Sequence, residues 1–139
     1  MQPRKPLPSG ILGLARPNQG IDRRAIGIGD VAEHALGFFD LVLVFYLQIL
    51  AIERREVLGR AISALALGGT FLFVGHDQTN LADGVGGPRD PDLLYTPDDI
   101  VSELPGLEIE KAERVLRDVA DADRPAIDAL VRAHKTQDP

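Results

Sequence analysis

The chain has no cysteine. That absence removes disulfides, thiolate metal sites and cysteine nucleophiles, and it fits a reducing, cytoplasmic compartment. A membrane-spanning run is also missing. Crossing a bilayer takes about 20 mostly apolar residues. The longest candidate, Gly37 to Leu50 (GFFDLVLVFYLQIL), is shorter and carries Asp40 and Gln48. The start of the chain lacks the long apolar region of a secretory signal, since Ile11 to Ala15 (ILGLA) is too brief. Positive charge is concentrated at the start. Residues 1–29 hold Arg4, Lys5, Arg16, Arg23 and Arg24 against Asp22, a net +4, so the remainder carries −10 of the total −6. An acidic body excludes broad binding to a nucleic-acid backbone, which needs clustered Lys and Arg.

What is present suits one domain with a modest core: 139 residues, 45% hydrophobic and 26% charged. Residues 1–29 contain four of the ten prolines and five of the fourteen glycines and show no sustained period, so they read as an irregular basic leader. The body begins at Asp30. Leu41 to Leu47 is continuously apolar, the pattern of a strand buried on both faces. A helical pattern follows, with Val57, Leu58, Ala61, Ile62 and Leu65 on one face and Glu56 and Arg60 spaced as an i,i+4 pair outside it. Gly68-Gly69 has the character of its C-cap. Thr70 to Val74 reads as a second buried strand, and strand–helix–strand with short links implies parallel strands.

A long loop rich in Gly, Asp and Pro runs from Gly75 to Tyr95, the kind of segment that is functional or mobile. Thr96, Pro97, Asp98 and Asp99 then mark a helix start, with Thr96 as N-cap and two acids at the positive end of the dipole. That helix stops before Pro105-Gly106. Two further segments, LEIEKAERVLRDV and RPAIDALVRAH, fit a helix and a strand about equally well.

Taken in order, FDLVLVFYLQ, ERREVLGRAISALALGGTFLFVGHD and GGPRDPDLLYTPDDIVSELPGLEIEKAERV resemble the C-terminal half of class I S-adenosylmethionine-dependent methyltransferases. The nearest likeness is to small bacterial enzymes of the tellurite-resistance and quinone-biosynthesis type, and it covers roughly residues 30–135. The resemblance implies an α/β fold, a truncated Rossmann-like sheet of about four strands, mostly parallel with one antiparallel, flanked by helices. It makes the two ambiguous segments the last two strands. It also implies S-adenosylmethionine as cofactor and a small-molecule methyl acceptor.

In that family a glycine-rich turn after the first strand cradles the cofactor, and an acid after the second strand binds its ribose, in line with the switch-point rule for open parallel sheets. Neither has a counterpart here. IGIGD (Ile26 to Asp30) has glycines, yet no buried strand precedes it and no helix follows, so it reads as a chance match.

By resemblance Asp30 accepts from the adenine amino group, the backbone of Val31 lines that ring, and Val44 and Phe45 face the cofactor. Tyr46 and His76 are the candidate catalytic groups, and Asp77 is a further polar group at the same strand end. Each has a plainer role available: Asp30 as a turn cap, Phe45 and Tyr46 as core aromatics, His76 as a structural histidine. His34 and His134 read as surface residues. The expected function is therefore a methyltransferase-like protein with impaired transfer, or a non-catalytic half-domain that pairs with itself or a partner. With the first strands gone, the edge of Phe39 to Tyr46 is expected to lie open and to drive a homodimer or larger assembly.

Overall fold

The computed structural model describes residues 11–15, 37 and 39–136, the first five by their backbone path. Asp30, Val31, His34 and the IGIGD stretch lie outside the described residues. The apolar run is a strand, β2 (Phe39–Phe45), in which Phe39, Val42 and Val44 are buried while Leu41, Leu43 and Phe45 are half-buried. Among the described residues no helix is long and apolar enough to cross a membrane.

Helix α1 (Ala51–Ala64) follows. Its Leu58, Ala61 and Ile62 join Val42 and Val44 of β2 and Phe71 and Phe73 of the next strand in one core. Full burial contributes about 1.5–3 kcal/mol for each such Leu, Ile, Val or Phe. The expected Glu56–Arg60 pair is made on the exposed side, at 2.8 Å. The helix ends earlier than its glycines suggest. Leu65 is already extended, and β3 runs from Leu65 to His76 through Gly68 and Gly69. Two contacts account for the difference. Leu65 is fully buried and paired with Phe39, and the buried ammonium of Lys135 donates to the carbonyls of Ile62 and Leu65 at 3.1 and 2.9 Å. Lysine thus satisfies carbonyls that a glycine cap would otherwise leave to the backbone. Gly68, at φ 76°, instead lets β3 change register between its Leu65 and Thr70 pairings.

After β3 come a single helical turn, α2 (Asn80–Asp83), a 3₁₀ turn at Pro91–Leu93 and α3 (Pro97–Ser102). The start of α3 is the expected one. Thr96 accepts from the Asp99 N–H and Asp99 accepts from the Thr96 N–H, a reciprocal capping box. The two ambiguous segments are strands, β4 (Leu107–Arg117) and β5 (Ala126–Lys135). With Ile11–Ala15 as β1, the sheet order is β1-β2-β3-β5-β4. β2 and β3 are parallel, β5 is antiparallel to both β3 and β4, and so β2, β3 and β4 share one direction with β5 opposed. Buried residues of α1 and α3 contribute to one core with the strands, tied by Arg54, whose guanidinium grips Glu103 through two 2.8 Å bonds.

One expectation changes. Ile11–Ala15, placed in the irregular leader, is a strand (β1) paired antiparallel to β2 in register Ile11 with Phe45 through Ala15 with Leu41. The edge of β2 expected to be open is therefore covered. The segment is short and apolar, and pairing it satisfies backbone groups on both strands.

Candidate functional site

Three polar residues meet where β2 and β3 end and β5 begins. Tyr46 follows β2 with φ 52°, a conformation rare for a bulky side chain. Its N–H donates to the Val74 carbonyl at 2.7 Å, and its hydroxyl donates to Asp128 Oδ2 at 2.8 Å, 82 residues away. Strain of this sort costs on the order of 1–3 kcal/mol and persists where surrounding contacts over-determine it. His76 closes β3, directly paired with Asp128 of β5. Its ring sits 5.2 Å from that of Tyr46. Arg117, at the end of β4, donates from Nε to Asp128 Oδ2 at 2.8 Å and lies 5.3 Å over the Tyr46 ring.

The surroundings shift both the imidazole and the phenol. Burial lowers the basicity of His76 below the ordinary imidazole value of 6.5. Asp128 opposes that shift and Arg117 adds to it. Neutral imidazole is thus favoured near pH 7. Burial and the Asp128 hydrogen bond and charge raise the Tyr46 phenol, with Arg117 opposing, so it stays protonated and able to donate. Two atoms are left over. Asp128 Oδ1 and His76 Nδ1 are both buried without a hydrogen-bond partner, 3.7 Å apart. In the tautomer protonated at Nδ1 the ring faces the carboxylate and Nε2 is the free acceptor.

The scaffold beneath is tightly tied. Gln48 Oε1 accepts from the His76 N–H at 3.0 Å and from the Tyr95 hydroxyl at 2.8 Å. A Cβ on Gly75 would lie 1.6 Å from that hydroxyl, so the strand admits only glycine there. Asp77, fully buried, accepts from Thr79 and from Arg114 Nε at 2.8 Å. Asn80 Oδ1 accepts from the Ile127 N–H, and Asn80 Nδ2 donates to the Gly86 carbonyl at 3.0 Å, which brings the glycine loop back over the site. Gly87, at φ 75°, rests against the imidazole: a Cβ there would be 2.9 Å from the ring.

The structure thus brings Tyr46 and His76 together, and places Asp77 one residue beyond in a separate hydrogen-bond set. Phe45 is half-buried, whereas Val44 is packed in the core with 2% exposure. His134, read as a surface residue, is bound to Glu110 at 2.7 Å. Asp128, Arg117 and Gln48 escaped the sequence reading. Asp128 had a signal, a lone acid inside the apolar run AIDALV, while Gln48 had none because its partners lie far away in the chain, and Arg117 meets Asp128 only once β4 pairs with β5. Among the described residues no group of three or more His, Asp or Glu is placed to hold a metal ion.

Solved structures supply the comparison. A SAM-dependent methyltransferase from Methanosarcina mazei matches with a TM-score of 0.59 and 13% identity, over 89% of this chain and 75% of the other. TehB from Haemophilus influenzae matches at 0.59 and 9%, over 81% and 40%. The N-methyltransferase NodS from Bradyrhizobium japonicum matches at 0.51 and 21%, over 81% and 59%. The fold is methyltransferase-like. No family model and no curated protein sequence matches the chain.

A cofactor of the kind named for the Methanosarcina neighbour would lie at the carboxyl ends of parallel strands. Beside the end of β2 stands Ile11, the first residue of the antiparallel β1, where a parallel strand would deliver its carboxyl end and a glycine turn. The described residues therefore do not supply a cradle for S-adenosylmethionine. They do supply a polar cluster at the adjoining strand ends.

Proposed function

We propose that this chain is a methyltransferase-like protein whose described residues form the acceptor side of a small-molecule site, with a weak grip of its own on S-adenosylmethionine. The observation that carries the reading is the convergence of strained Tyr46, neutral His76 and buried Asp128 at the ends of β2, β3 and β5. In the proposed mechanism a hydroxyl or amine of the acceptor gives its proton to His76 Nε2. The carboxylate of Asp128 stabilises the resulting imidazolium across Nδ1, as a base held in position by a third group. Tyr46 orients Asp128 by donating to Oδ2.

Isothermal titration with S-adenosylmethionine tests the cofactor half, with no saturable binding expected. A micromolar dissociation constant would overturn it. Thermal-shift screening of small alcohols, phenols and amines tests the acceptor half. Stabilisation of the wild type that is lost in His76→Gln and Asp128→Asn is expected. Stabilisation that both variants retain counts against it. A chain that binds neither partner is the non-catalytic half-domain instead.

A further inference from the structure

We propose that Gln48 is a positioning residue, which sets the place of the His76 imidazole beside Asp128 and couples it to the segment that ends at Tyr95. The inference rests on the reading of His76 as the acceptor-side base and names the residue that governs it.

The β2–β3 ladder breaks at the site. The Tyr46 N–H donates to the Val74 carbonyl at 2.7 Å. In a regular parallel ladder the next bond would run from the His76 N–H to the Tyr46 carbonyl. Tyr46 is left-handed, at φ 52°, and the His76 N–H instead donates to Gln48 Oε1 at 3.0 Å. A side chain thus stands in for a main-chain acceptor at the residue that closes β3. The flanking residues hold Gln48 in place, since Leu47 and Ile49 are both buried in the core. Its amide is oriented by its partners. Oε1 also accepts from the Tyr95 hydroxyl at 2.8 Å, and Nε2 donates to the Leu93 carbonyl. The reverse orientation would set two carbonyl oxygens against each other. Tyr95 is fully buried against Phe73 and beneath Arg54, and burial raises its phenol above the ordinary value of 10.0, which keeps it a donor.

On its other side His76 is paired with Asp128 of β5. Gln48 and that pairing together fix the backbone from which the ring extends. Its Nδ1 lies 3.7 Å from Asp128 Oδ1, beyond hydrogen-bond distance, and both atoms are buried without a hydrogen-bond partner. Around the ring stand Tyr46 after β2, Asp128 of β5 and Arg117 of β4, while the loop contributes the backbone of Gly87. Freeing the His76 N–H gives the ring two ways to become more basic. It can approach Asp128 more closely or meet more water, and both favour the charged form. The same amide carries Leu93 and Tyr95, so a displacement of that segment reaches His76 through Gln48.

The test uses the full chain without cofactor or acceptor and follows the imidazole Cε1 proton of His76 by NMR as pH is varied. Its resonance is identified by its loss in His76→Gln. In wild type the midpoint lies below the ordinary value of 6.5. Gln48→Met keeps the length and removes both acceptor and donor, and its midpoint should move upward toward that value. Tyr95→Phe removes one donor to Oε1 and should move it the same way by less. The double variant should titrate as Gln48→Met alone does, because Tyr95 acts through the amide. Ile62→Val, a buried change in α1, should lower stability and leave the midpoint unchanged. An unchanged or lowered midpoint in Gln48→Met, or effects that add in the double variant, overturns the inference. Should Gln48→Met fail to fold, Tyr95→Phe decides: an upward move supports the coupling and no move overturns it. A negative acceptor screen has no bearing on this outcome, since no acceptor is present.

Discussion

Tyr46 carries a local contradiction: a bulky aromatic at φ 52°. A left-handed conformation costs a residue with a Cβ about 1–2 kcal/mol relative to glycine. Tyr46→Gly should therefore be more stable than Tyr46→Ala by about 1 kcal/mol in urea unfolding, although both lose the phenol that binds Asp128. Equal stability of the two would show that the backbone relaxes when the ring is gone. His76 makes a second prediction, in pH. Its folded-state basicity is lowered, chiefly by burial, with Asp128 opposing and Arg117 assisting. The unfolded chain then holds the proton more readily. The contribution of this residue to stability is full above the ordinary value of 6.5 and is lost as pH falls through the folded value. Melting curves at about pH 7.5 and about pH 5.5 should show a larger acid-induced drop for wild type than for His76→Gln. A drop of the same size in both removes His76 as the cause.

At the scale of elements, α1 begins badly and is held well. Its N-cap is Leu50, 45% exposed and without a side-chain cap, and Glu53 occupies the third helical position. Leu50→Ser would complete a capping box with Glu53 and should stabilise the protein by about 1 kcal/mol, a rise of a few degrees in Tm. No rise would mean that Leu50 is covered by a partner. The hold comes from Arg54, 3% exposed, bidentate to Glu103 and stacked 5.1 Å from the Tyr95 ring. Arg54→Ala leaves Glu103 buried without its main partner, a change that costs about 3–5 kcal/mol in general. Arg55, 3.7 Å from the same carboxylate, places the expected loss at the lower end of that range. Chemical denaturation measures it, and a loss under about 1 kcal/mol would reduce the pair to a surface contact.

The whole molecule depends on how the β2 edge is finished. β1 occupies one side of β2 and β3 the other, so association of copies through Phe39–Phe45 requires β1 to leave. Deleting residues 1–15 should uncover that edge and raise the apparent mass in light scattering as concentration increases. The full chain should associate less through it. Identical behaviour of the two forms would mean that β1 does not protect the edge in solution.

What the sequence determined by itself is what local chemistry decides. The β2 strand was legible in its unbroken apolar run, α1 in its 3.6-residue period, and the start of α3 in Thr96 and Asp99. His76 was legible as a polar group at a strand's carboxyl end. Wherever two remote segments share the decision, the sequence was silent or misleading. Gly68-Gly69 looks like a helix cap, but Lys135, some 70 residues on, caps the helix from β5 and frees the glycines for the strand. β4 and β5 have no periodicity of their own that excludes a helix, and their pairing with each other and with β3 makes them strands. ILGLA is too short to declare itself and becomes a strand only beside β2. The site follows the same rule: Tyr46 and Asp128 stand 82 positions apart, and only the register of β3 against β5 puts the acid opposite His76 and within reach of the phenol. Propensity and period act over a few residues, whereas hydrogen-bond pairing and burial act across the folded chain, and the polar cluster is made by the second.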